Sequence, residues 1–276
     1  DDPTLLADVL SSEFLCLWEP ATLPRRQRIA HELDQIGRMT EDPGTVFLAG
    51  FFAAYCRAER GEVLRARREL DELLPIAAAT RNQYFSFLTE RLALSIDVFL
   101  GRPDLQSRID DLHQRYADSH ADTTGTWALQ SGAIAIQRGT LATMLNSIEA
   151  MSAGPHASTW TAGIALARLW ADDREGAREI LVANSDHPRN YFWMTVTQVL
   201  GEVAAGIGDA ARCEQFLAEL LPFRGRLGIT ASGSLCWGLV ARTVGVLAAA
   251  VGRTELAIES LTDAVRQADL IGARHE

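Results

Sequence analysis

The sequence predicts an all-α chain organised as a superhelical solenoid of about seven antiparallel helix pairs. Three observations carry this. Apolar residues recur at three- and four-residue intervals almost throughout, while the alternation of a half-buried strand is missing. A punctuation mark, in which a turn residue closes one apolar helix and a polar cap opens the next, recurs at Gly61-Glu62, Gly101-Arg102-Pro103-Asp104, Gly139-Thr140, Asp172-Asp173, Gly208-Asp209 and Gly252-Arg253-Thr254. Successive marks lie 34 to 44 residues apart, the period of a helix pair. The chain has 276 residues, 47% of them hydrophobic, enough for a core that grows along one axis.

The elements follow in order. A first pair is predicted over 4–17 and 24–40, with Pro24 opening its second helix. The next two pairs span 44–60 and 62–79, then 83–100 and 104–118, set off by Pro43, Gly61, Gly101 and Pro103. Helices over 122–138 and 140–152 flank Gly139, and 157–171 with 174–184 flank Asp172-Asp173. Pro188 precedes a helix over 190–207, which pairs with 209–221. The last pair is expected at 234–251 and 254–271. Small residues followed by large apolar ones (Ala66, Leu70 and Leu73; Ala177, Ile180 and Leu181; Ala257, Leu261 and Val265) suit close helix packing. Between Pro222 and Gly233 the stretch PFRGRLGITASG has no helical period and is expected to be a long loop.

Composition excludes several chemistries. All 26 basic residues are arginine, so Schiff-base, catalytic-lysine and P-loop lysine chemistry is absent from this chain. Arginine in place of lysine with abundant alanine is the coding bias of a GC-rich, actinobacterial type of genome. A net charge of −10 opposes direct contact with nucleic acid. Cys16, Cys56, Cys213 and Cys236 form no CxxC pair and sit in apolar contexts, the pattern of a reduced, cytoplasmic protein. No apolar run reaches a membrane-spanning length. His113 and His120 lack partners at zinc-ligand spacing, and no nucleophile elbow, HExxH or kinase signature occurs. The pairs Asp110-Asp111 and Asp172-Asp173 fit caps and exposed faces. A non-enzymatic chain with no cofactor and no metal is expected. Its start at Asp1 and end at Glu276 read as the limits of a single domain, 1–276, within a larger protein.

Candidate binding residues come from the first helix of each pair, expected to line a concave inner wall. Aromatic residues near their starts, with polar neighbours, suggest a ladder of rings for an amphipathic small molecule: Tyr84, Trp127, Trp160, Tyr191, Trp193 and Trp237. Gln130, His156, Asn190 and Gln198 supply the polar groups, with Phe85, Arg81, Gln83, Glu90 and Arg242 as further neighbours. Arg224 and Arg226, beside an expected helix start at Ser234, are an anion candidate. The same rings serve equally well as packing between helices, and the polar residues as caps.

Three segments, DPTLLADVLSSEFLCLWEPATLPRRQRIAHEL, RGEVLRARRELDELLPIAAATRNQYFSFLTERLAL and SLCWGLVARTVGVLAAAVGRTELAIESLTDAV, resemble the tetratricopeptide-like helical region of large bacterial signal-transduction ATPases. These include LuxR-type regulators related to the maltose regulator, antibiotic-regulatory activators and actinobacterial class III nucleotide cyclases. The likeness spans the chain in aggregate, although the consensus W-x2-L-G-x2-Y is absent in clean form. It implies a right-handed tetratricopeptide-like superhelix with a sensor role: an effector, a sugar or other small metabolite, binds the concave groove and controls an attached ATPase and DNA-binding output. The alternatives are a scaffold that holds a protein or peptide in the groove, and the regulatory arm of a nucleotide cyclase. No P-loop and no basic recognition helix lies within the chain itself.

Overall fold

The computed structural model describes residues 2–120, 122–151, 157–230, 233–273 and 275. It is mainly helical, as expected, with fourteen α-helices among the described residues. These are α1 (Pro3–Cys16), α2 (Leu23–Thr40), α3 (Pro43–Glu59), α4 (Val63–Ala79), α5 (Gln83–Phe99), α6 (Leu105–Tyr116) and α7 (Thr123–Gln137), followed by α8 (Leu145–Met151), α9 (Ala157–Trp170), α10 (Arg174–Asn184), α11 (Trp193–Ile207), α12 (Ala210–Leu220), α13 (Val240–Ala250) and α14 (Thr254–Ile271). None is long and apolar enough to cross a membrane.

Local chemistry explains the boundaries. Asp42 accepts from the Thr45 amide at 2.7 Å, Asp173 from Gly176 at 2.9 Å and Asp209 from Arg212 at 3.1 Å, which satisfies amides that a helix start leaves free. The recurrent marks sit where helices end. Gly61, Gly101, Gly139, Gly208 and Gly252 have positive φ, and Asp172 joins them at 64°. That left-handed step reverses the chain, and glycine or aspartate takes it with least strain.

Consecutive helices pack against one another, and a second set of contacts links odd-numbered helices directly: α3 with α5, α5 with α7, α9 with α11 and α11 with α13. This inner row is buried on more than one face. In α5 an unbroken run from Arg91 to Phe99 is buried, and α11 is buried from Trp193 to Gly201. Outer helices such as α4, α10 and α12 bury one face only.

The departure from the sequence expectation lies between α12 and α13. Residues Leu227–Thr230 form strand β1 and Leu235–Leu239 strand β2, paired antiparallel with Leu227 opposite Leu239 and Thr230 opposite Leu235. The helix expected over 234–251 therefore begins at Val240 instead, and the expected loop supplies a strand. A two-stranded hairpin is marginal on its own. Here β1 packs on α3 and α11, and β2 on α5, α7 and α13, so every described hairpin residue except Trp237 is buried. The inner wall thus encloses a hairpin where the sequence predicts an open groove.

The array curls until late elements meet early ones. Ala264, Ala268 and Ala273 share a core with residues of α2 to α5. His275 lies against Gly101, Arg226 reaches Glu59 at 3.4 Å, and Arg189 reaches Glu19 at 3.1 Å. Arg26 is fully buried with Glu59 at 2.7 Å, so an ion pair is sealed into the early part of the core.

Candidate functional site

Direct packing along the inner row changes between α7 and α9. There the 3-10 turn Leu141–Met144 touches both helices and spans the gap. A cavity occupies this junction, with about 70 Å³ open to the centre of a water-sized sphere. Leu129, Gly132 and Ile136 of α7 form one wall, and Trp160 and Gly163 of α9 face them. Thr195 and Val199 of α11 close a third side, with the hairpin's Leu235 and Trp237 as the base. The 3-10 turn adds Leu141 and α8 adds Ile148, so helices, turn and hairpin touch a common space.

The lining is almost wholly apolar and, among the described residues, includes no ionisable side chain. Its two hydroxyls differ. Thr230 donates to the Leu235 carbonyl at 3.3 Å, whereas the buried Thr195 hydroxyl has no hydrogen-bond partner among the described residues. Trp237 is fixed by its indole N–H, which donates to Glu202 at 3.4 Å; Glu202 also accepts from Arg242 at 2.6 Å. The arrangement offers an apolar space of a size to bind a small group. Away from the cavity, burial pushes the Cys56 thiol up to about 12 and raises Cys236 as well.

Of the residues singled out from the sequence, Trp160 and Trp237 come together in this cavity. The other rings do not continue the row. Trp127 turns toward α6, donating to Asp110 at 2.8 Å beside His113, and Tyr84 is exposed against His120. Trp193 is 2% exposed, edge-on to Phe223 with Arg189 over its face, which closes it to a ligand in this conformation. Tyr191 packs against Phe192 and stays partly exposed, while Asn190 accepts from the Phe192 amide just before α11. His156 lies outside the described residues.

Gln130 and Gln198 are fully buried and hold the hairpin and its supports. Gln130 donates to Ser95 at 2.9 Å and to the Arg91 carbonyl, and Gln198 donates to the Gly238 carbonyl at 3.3 Å. Arg224 is taken by Glu259 at 2.8 Å and Arg226 by Glu59, while Ser234 precedes a strand and not a helix. The anion candidate is thereby corrected: carboxylates already hold both guanidiniums, and Ser234 opens no helix.

Sequence reasoning missed Gly132, Gly163 and Thr195. The glycines carried a readable signal, since an isolated glycine inside a helical pattern lowers helix stability and asks for a reason. Thr195 carried none, because a threonine on a buried helix face usually bonds back to its own backbone, as Thr197 does to the Trp193 carbonyl at 2.7 Å.

No protein-family model matches the chain, and no curated protein does. The function is therefore argued from the site.

Proposed function

We propose that this chain is the sensing domain of a bacterial signal-transduction regulator, a right-handed tetratricopeptide-like array of about seven helix pairs. In this reading a small-molecule effector occupies the cavity between α7, α9, α11 and the hairpin, and so controls an attached ATPase and DNA-binding output. The observation that carries the reading is the position of the cavity. An occupant touches two inner helices that otherwise meet through a 3-10 turn, and it touches the hairpin that fills the inner wall.

Such an occupant shifts the array only by its preference for one shape over another; a tenfold preference corresponds to about 1.4 kcal/mol. The first and last helices leave Leu5, Leu6 and Val9, and Ile258 and Val265, uncovered, and attached modules would bury such faces. Net charge of −10 favours a sensing role over direct contact with nucleic acid. The scaffold alternative is less favoured, because the chain's own hairpin occupies the inner wall that a peptide would need.

The test is hydrogen exchange at the hairpin amides, Ile229 and Cys236 among them, with and without ligands found by a thermal-shift screen of metabolites. Sensing predicts slower exchange in the hairpin and at the α7–α9 junction on binding. Ligands that bind without altering exchange at either place would refute it.

A further inference from the structure

Helix glycines in this chain differ in what surrounds them: Gly125, near the start of α7, has open space about it, as do two that line the cavity, while others are tightly packed. At Gly50, Gly206 and Gly245 an added Cβ would lie 2.5 Å from Leu73, 2.4 Å from Leu169 and 2.6 Å from Leu261, so close packing requires the glycine. At Gly132 and Gly163 an added Cβ meets nothing within 4 Å, and both residues line the cavity from opposing helices. Their helical backbone does not demand glycine, and glycine weakens a helix relative to alanine. What the pair preserves is empty volume.

The walls say what that volume suits. Trp160, Phe192 and Trp237 contribute rings, and no charged side chain lines the space among the described residues. A charged molecule would lose its hydration with little to replace it, and a sugar would bring several hydroxyls to walls that are almost wholly apolar. The open core of about 70 Å³ is several times the roughly 10–15 Å³ that holds one water, which suits a single ring or short chain.

We infer that this cavity is a binding site for an uncharged, predominantly apolar small molecule of about one ring's size. The inference rests on the cavity being the effector site proposed above and supplies the ligand's chemistry, away from sugars.

Titration calorimetry on the intact chain tests it with p-cresol as the probe, p-toluate as the charged molecule of similar shape and maltose as the sugar. Wild type is expected to bind p-cresol at least tenfold more tightly than p-toluate or maltose. Gly132→Ala/Gly163→Ala should melt at the same or a higher temperature yet bind p-cresol at least tenfold more weakly. The inference is overturned by absence of p-cresol binding to wild type, by equal binding to the double glycine variant, or by p-toluate or maltose binding as well as p-cresol. Binding as expected, with hairpin exchange unchanged, would keep the site and remove the sensor reading.

Discussion

The Ser95 hydroxyl donates a 2.7 Å hydrogen bond to the carbonyl of Gly233, joining α5 to the hairpin across 138 residues of sequence. The same oxygen accepts from Gln130 of α7, so one buried hydroxyl ties two inner helices to the inserted strands. Ser95→Ala leaves the Gly233 carbonyl and the Gln130 amide each short of a partner. It should cost about 1–3 kcal/mol in urea denaturation. A loss within experimental error of zero would show that the tie is dispensable.

Gly228 and Gln198 are coupled by contact. A Cβ on Gly228 would sit 1.9 Å from Gln198 Oε1, so Gly228→Ala forces the buried amide to move and strains its 3.3 Å bond to Gly238. In a Gln198→Ala background that clash is removed. A double-mutant cycle should return a coupling of at least about 1 kcal/mol, and simple additivity would contradict the contact.

The sealed pair Arg26 and Glu59 gives a larger effect. Glu59→Ala leaves a guanidinium with no exposed side-chain surface and no counter-charge, a change that costs on the order of 3–5 kcal/mol. Replacing both partners, as Arg26→Met/Glu59→Leu, should recover most of that loss, since Arg226 retains access to solvent. Equal instability of the single and double variants would count against this account.

Asp42 supplies a pH dependence. The Thr45 hydroxyl, and then the Thr45 amide, hold its carboxyl below the ordinary 3.8. A depressed native value means that the stabilisation is complete above 3.8 and is lost as pH falls through the native value. Asp42→Ala should therefore cost about 1 kcal/mol at neutral pH, with the gap to wild type closing on acidification below 3.8. A gap that widens in acid would refute the assignment.

Much of the helical plan was legible because its signals are local. Six turn marks read from the sequence all occupy left-handed backbone, and chirality alone restricts which residues do that. The hairpin was illegible for the opposite reason. Leu227 to Thr230 and Leu235 to Leu239 are enclosed by helices on both sides, so neither strand alternates, and the run LCWGL merges into the apolar start of α13. Tertiary surroundings selected strand where periodicity continued as helix. The cavity was half visible: Trp160 and Trp237 stood out as rings, while the meeting of Gly132 with Gly163 depends on how two units dock.

In chains built from side-by-side hairpins of helix each unit ordinarily touches only its neighbours, so structure can start at any unit and spread. Burying β1 and β2 against α3, α5 and α7 removes that freedom. A nascent chain that has emerged only as far as Arg226 has all three helices but nothing to cover the polar atoms of Ser95 and Gln130. Its early half waits, unfinished, for a segment made more than a hundred residues later, so a truncation there should yield a collapsed species and not a shorter version of the native molecule.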